Sequence, residues 1–337
     1  MKRRSIICFI ISAVSALAVS AQSWSVDTLG GDFRMRYVDH ADDYSGQVRS
    51  TIIRLTADSV VSNGRGVLYV HGFNDYFFQE ELARKFTGNG YDFYAVDLRK
   101  YGRSLMPGQK HCQVRNLDEY FPDIDSALVD MRRYGCREIV LMGHSTGGLV
   151  ASYYMERNPE APVNALVLNS PFLDWNLGKM ECCINLVSAI GRLFPGIKVS
   201  QGISNAYSSS LLKSEHGEWE YHTGWKSQEP VPVDLGWVRA INKAQHYLRS
   251  HKYAIKVPIL LMYSSRSINA TDWVPEANSA DAVLDVEDIK KYGRLLGHDI
   301  TMVSVNGGLH DLILSAPDVR YPLYDYIFNW LRLTLGS

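Results

Sequence analysis

Six short runs, continuously apolar but for Thr301, set the frame of this chain, at residues 67–70, 93–96, 139–142, 165–168, 259–262 and 300–303. A strand covered on both faces reads this way because neither side meets water. Between the runs lie amphipathic stretches such as 79–87, 123–134 and 149–157, and another closes the chain at 321–335. Alternation of this kind predicts an α/β fold, with a mostly parallel central sheet and helices on both faces. Residues 33–38 and 48–55 read as a strand pair ahead of that sheet. From about 172 to 256 the rhythm lapses, and Trp175, Trp219, Tyr221, Trp225 and Trp237 accumulate. This stretch reads as a cap inserted after one strand. Its aromatic residues suit the wall of an apolar acyl pocket and the core of the insertion equally well. With 337 residues, 46% of them hydrophobic, one large domain over residues 22–337 can hold both sheet and cap around a substantial core.

The run at 139–142 leads into Gly143-His144-Ser145-Thr146-Gly147-Gly148 and then directly into a helical pattern. A strand that turns sharply into a helix through Gly-x-Ser-x-Gly lifts the serine Oγ above the sheet, and glycines on either side remove side chains that would clash there. Ser145 is therefore the candidate nucleophile. A serine hydroxyl needs a base, and the base needs an orienting acid. His310 follows the last apolar run by a short glycine-containing loop, Asn306-Gly307-Gly308-Leu309, which places it to serve as that base. The remaining histidines outside the first loop and the elbow, His40 among them, are expected in helices, in loops or in the insertion. The negative charge on a reacting carbonyl needs preorganised donors. The backbone N–H of Phe73, after the run at 67–70, and that of Thr146 are the candidates.

Taken together, His71-Gly72 after an early strand, Asp97-Leu98-Arg99-Lys100-Tyr101-Gly102-Arg103-Ser104, the Gly-His-Ser-x-Gly-Gly turn, a cap and a late histidine are a specific combination. Over residues 60–335 the chain resembles the monoglyceride-lipase, lysophospholipase and serine-aminopeptidase-like group of the α/β-hydrolase fold. That resemblance implies hydrolysis of small acyl esters or lipids without a cofactor, with an exopeptidase on the same fold as the alternative. A brief contact of the cap with a membrane surface is compatible with such substrates. The chain departs from the group at the triad acid. The resemblance places an aspartate shortly after the run at 259–262, where this sequence has Ser267. Asp281 lies 29 positions before His310, past residues 268–278, which read as an inserted loop, and is the first candidate for the acid. Asp285, Asp272 and Asp174 stay open, although Asp285 also suits the N-cap of a helix over 286–296. A noncatalytic binding protein with a degenerate triad is a further alternative. For a peptidase, Glu215, Glu218 and Glu220 of the cap are candidates to grip a free α-amine.

Lys2, Arg3 and Arg4 precede an apolar run at 6–18 and then Val19-Ser20-Ala21, which together read as an export signal at residues 1–21, cleaved after Ala21. The run is shorter than the roughly 20 apolar residues that span a bilayer. The expected location is therefore secreted or periplasmic, where Cys112, Cys136, Cys182 and Cys183 are permitted to form disulfides. Basic and acidic residues nearly balance, 35 against 36, which gives no electrostatic footprint for nucleic acid. The sequence has no nucleotide-binding glycine motif, and His216 and His222 lack a third residue to make a metal site.

Overall fold

The computed structural model describes residues 23–175, 181–199 and 204–336. The expected export signal and the side chain of Cys182 lie outside these residues. A sheet of nine strands forms the centre, in the order β1 (Ser25–Val26), β2 (Arg34–Asp43), β3 (Gly46–Leu55), β5 (Tyr91–Asp97), β4 (Arg65–Val70), β6 (Glu138–His144), β7 (Ala165–Asn169), β10 (Ile259–Ser264) and β11 (Ile300–Val305). From β5 to β11 every neighbouring pair is parallel, whereas β1 to β3 join antiparallel at one edge. This is the α/β-hydrolase arrangement that the alternation and the motif order imply.

The continuous apolar runs now have a geometric explanation. Successive side chains of a strand point to opposite faces. Leu68, Val70, Leu141, Leu166, Leu168 and Leu261 therefore join one core, under α2 (Phe121–Arg133), α3 (Thr146–Arg157), α6 (Leu235–Ser250) and α7 (Val286–Gly293). Val67, Tyr69, Val140, Met142, Val167 and Met262 join the other, under α1 (Glu80–Gly88) and α8 (Pro317–Leu335). The helix expected over 286–296 ends at Gly293, where Leu295 and Leu296 turn back onto the carbonyls of Tyr292 and Gly293. His40 lies in β2, contrary to the expectation of a helix or loop. There its Nε2 meets Ser50 Oγ at 2.8 Å and Asp123 Oδ1 at 3.0 Å.

Residues 172–256 contain α4 (Glu181–Leu193), α5 (Ala206–Leu211), the short pair β8 (Lys198–Val199) and β9 (Val233–Asp234), and α6. Helix α6 belongs to the first core through Trp237, Val238, Ile241 and Leu248. Cys112 and Cys136 are buried thiols that form no disulfide.

A buried ion-pair cluster ties the N-terminal segment to the loop after β5. Arg103 reaches Asp27 through Nε at 2.6 Å and Nη2 at 2.9 Å, Asp97 through Nη1 at 2.9 Å, and the Phe77 carbonyl at 3.0 Å. Asp97 also accepts the N–H groups of Phe77 and Arg103. A buried charge stripped of its partner is strongly unfavourable, so Arg103→Met, which strands two carboxylates, should cost about 3–5 kcal/mol of stability. Urea titration monitored by tryptophan fluorescence measures the loss.

Candidate active site

Ser145 sits between β6 and α3 at φ 53°, ψ −118°, a left-handed conformation that only a tightly held turn sustains in a non-glycine residue. Three backbone hydrogen bonds hold it. Its N–H donates to the Asn169 carbonyl at 3.0 Å, and its carbonyl accepts from Leu149 at 3.1 Å and Phe172 at 3.0 Å. The glycines leave room for this turn. A Cβ on Gly147 would lie 2.3 Å from the carbonyl oxygens of both Val70 and His71, and one on Gly143 would lie 2.5 Å from the Gly147 oxygen. The elbow is thus pressed against the end of β4, where the Phe73 loop begins. In that loop a Gly72 Cβ would lie 3.2 Å from the Ser145 Cβ.

His310 and Asp281 are brought together. His310 Nδ1 lies 2.9 Å from Asp281 Oδ2, while Asp281 Oδ1 accepts the N–H groups of Val283 and Leu284 at 2.8 Å each. The carboxylate can only accept from the ring, so Nδ1 carries the proton and Nε2 is left as the basic nitrogen. Asp281 reaches this place because it pairs with Ser267, the position where the resemblance expects an acid. Asp281 N–H donates to the Arg266 carbonyl at 3.0 Å, and Ile268 N–H donates to the Asp281 carbonyl at 2.9 Å. The intervening loop leaves the sheet and docks on the cap. Trp273 stacks on His216 at 3.5 Å, Asn278 donates to the His216 carbonyl, and Ser204 donates to the Ala270 carbonyl. The other acid candidates are engaged elsewhere. Asp285 caps α7 by accepting from Glu287 N–H, Asp174 pairs with Arg249, and Asp272 is exposed and accepts from the Thr271 hydroxyl.

Ser145, His310 and Phe73 line one cavity of about 290 Å³. Sequence reasoning missed several residues that shape it. Asn169 bonds Asp311 Oδ1 at 2.6 Å and accepts the Leu312 N–H, which fixes the loop that carries His310 to the end of β7. Asn74 bridges the backbone of Ser227, donating to its carbonyl at 2.8 Å and accepting its N–H at 2.9 Å. Asp75, buried beside it, pairs with Lys226 at 3.0 Å. Burial alone raises this carboxyl, but Lys226 and His144 outweigh it and hold Asp75 below the ordinary carboxylate range. The cap aromatics continue this seam, with Trp237 on Phe73, Trp225 on Tyr76 and Tyr221 on Phe78. They pack the cap onto the loop after β4, and none of the tryptophans borders the cavity. The glutamates considered for amine binding lie outside it as well. Glu218 pairs with Arg320, Glu220 pairs with Lys213, and Glu215 accepts from Gln228. His216 and His222 stack on Trp273 and Trp225, respectively.

Residues 63–317 match the family described as serine aminopeptidase, S33. The chain is 29% identical over 272 residues to a monoacylglycerol lipase of Mycolicibacterium smegmatis, covering 79% of this chain and 88% of that one. It is 26% identical over 202 residues to a phospholipase of Bacillus subtilis, covering 58% and 73%. Among solved structures, a monoacylglycerol lipase from Paleococcus ferrophilus superposes with a TM-score of 0.64 at 19% identity, covering 83% of this chain and 97% of its own. A soluble variant of the Saccharomyces cerevisiae monoglyceride lipase gives 0.64 at 15% identity, covering 94% and 96%. Both structural likenesses concern the fold.

The glycine geometry predicts that Gly147→Ala destabilises the protein by about 1–3 kcal/mol through forced backbone movement. Gly88→Ala, where an added Cβ meets nothing within 4 Å, should stay within about 0.5 kcal/mol in the same urea titration. The loop after β4 is also pH-sensitive. His71 accepts the Leu98 N–H at Nε2 and contacts the Gly72 carbonyl through Nδ1, a pattern that fits the neutral ring. Burial lowers its pKa below 6.5 against the opposing pull of Asp97 and Asp75, with Lys226 adding to the lowering. Burial takes His111 down to about 4, and His40 is lowered by the same cause. Below pH 6.5 the unfolded chain takes up protons that the folded chain refuses, so stability falls as pH drops from 6.5 toward the folded values. Glu156, which burial raises to about 7, acts in the opposite direction over this range, so the comparison that isolates the histidine is His71→Gln, whose melting temperature should fall less between pH 7.5 and 5.5 than that of the unsubstituted chain.

Proposed function

The chain belongs to the serine aminopeptidase, S33 family of α/β hydrolases, and we propose that it is a secreted or periplasmic serine hydrolase cleaving carboxylic acyl esters, lipid-like esters included, through Ser145, His310 and Asp281. One observation carries this reading. His310, held by Asp281, borders the same cavity as a serine on a left-handed strand-to-helix turn.

In the proposed reaction His310 Nε2 takes the Ser145 proton as Oγ attacks the ester carbonyl carbon. The N–H groups of Phe73 and Thr146 receive the charge on the carbonyl oxygen. Collapse breaks the bond to the alcohol, which leaves with the proton from His310. Water then attacks the acyl-enzyme, again giving its proton to His310, and the acid departs as Ser145 recovers its hydrogen. Asp281 orients the ring and balances its charge throughout. The relatives that act as monoacylglycerol lipase and phospholipase support esters as the substrate class.

Cap residues Leu186, Ile190, Leu193, Phe194 and Ile197 are exposed, and the first four follow helical spacing. This apolar stripe supports a transient contact of the cap with a membrane surface. The exopeptidase reading keeps one carboxylate at the cavity, the exposed Glu229, and comparing p-nitrophenyl esters with aminoacyl amides separates the two. The noncatalytic reading rested on Ser267 at the acid position, and the Asp281–His310 contact weighs against it.

Ser145→Ala should abolish both ester turnover and labelling by a fluorophosphonate. Asp281→Asn should lower kcat about 10⁴-fold, because the amide favours the wrong tautomer of the base. Asp285→Asn should leave kcat within about threefold, since an asparagine caps a helix nearly as well. Steady-state kinetics on p-nitrophenyl butyrate decide the matter, and the reverse ranking of the two aspartates would reassign the acid.

A further inference from the structure

Cavities that take organic ligands usually enclose about 300–1,000 Å³ and are walled mainly by apolar groups. The cavity shared by Ser145 and His310 encloses about 290 Å³, and Tyr207, Lys226 and Gln228 line it beside the apolar Phe73, Val231 and Val283. At the lower end of that range, the cavity leaves little volume for a long alkyl chain.

Two of the side chains that line the cavity carry hydrogen-bond donors. The Tyr207 ring stands edge-on to His310, with centroids 5.3 Å apart. Its hydroxyl is buried and has no hydrogen-bond partner among the described residues. A buried donor without an acceptor is unfavourable, and such a group in a native structure calls for a partner that completes it. Burial keeps this phenol well above its ordinary pKa, so it remains a donor. The Lys226 ammonium sits among the rings of Phe78, Tyr207 and Tyr221, at 5.7–5.8 Å from their centroids. An ammonium carries three N–H donors, and Asp75 engages it from one side at 3.0 Å. Asp75 also balances its charge, and Glu229 adds a negative charge at the rim. The wall therefore offers donors without net positive charge, which suits a neutral acceptor better than an anion.

We propose that this cavity selects esters whose acyl group is short, neutral and hydroxylated, with the Tyr207 hydroxyl and the Lys226 ammonium as its specificity determinants. The inference rests on the reading of Ser145 as the nucleophile of an ester hydrolase, and it sets this chain apart from an enzyme specialised for long acyl chains.

The test uses the full-length enzyme on the p-nitrophenyl esters of β-hydroxybutyrate, butyrate and decanoate, with Ser145→Ala as the blank. Wild type should show a kcat/KM about tenfold higher for β-hydroxybutyrate than for butyrate, the scale of one hydrogen bond to a buried site, and the lowest value for decanoate. Tyr207→Phe and Lys226→Met should each bring the hydroxybutyrate-to-butyrate ratio toward one. Because a ratio is taken within one preparation, it is unaffected by the fraction of a variant that folds. Preference for decanoate, equal rates on the two short esters, or a ratio unchanged in both variants would overturn the inference while leaving ester hydrolysis intact. If wild type cleaved none of the three esters and resisted a fluorophosphonate, the ester-hydrolase reading itself would fall, and this inference with it.

Discussion

The left-handed turn at Ser145 is the constraint around which the rest of the molecule is arranged. A serine at φ 53° is strained, and it persists only because β6, α3 and their neighbours over-determine it. Gly143 and Gly147 let the start of α3 press against the ends of β4 and β6 at distances that no side chain permits. The same close approach sets the loop after β4 beside the elbow, so the proposed nucleophile and the proposed Phe73 donor are positioned by one packing event. Asn169 extends the arrangement to the other side. Its backbone carbonyl receives the Ser145 N–H, and its side chain holds the segment just after His310.

The cap is joined to this centre through the loop after β4. Phe73, Asn74, Asp75, Tyr76 and Phe78 each meet a cap residue, through ring packing, a two-hydrogen-bond bridge or a buried ion pair. Aromatic side chains that the sequence left equally suited to a pocket wall or a core are used in this seam. The cavity beneath has a mixed wall, in which Ser204, Ser208, Lys226 and Gln228 stand beside Phe73, Tyr207, Val231 and Val283. The inserted loop at 268–278 takes part as well, since its contacts with His216 and Ser204 fix the path by which the chain returns to Asp281.

Much of this was legible in the sequence, for identifiable reasons. Strands covered on both faces must be apolar throughout, which explains five of the six runs, and the sixth became the half-buried edge strand β11. The elbow is local, set by residues adjacent in the chain, and its glycines announce it. The loss of alternation after residue 172 marked where chain departs from the layered pattern. Less legible were the details that depend on neighbours distant in sequence, such as His40 in a strand and the early end of α7.

The sequence by itself determined the layered α/β architecture, the elbow at Ser145 and the late position of His310, because periodicity and short motifs are written in consecutive residues. Tertiary structure decided which aspartate meets His310, since the pairing of Asp281 with Ser267 depends on a loop folding out and docking on the cap before it returns. It also decided the character of the cavity, because Lys226 and Asp75 lie 151 positions apart and only the packing of the cap on the loop after β4 brings them together. Contacts of that kind arise from packing, and no local pattern of residues encodes them.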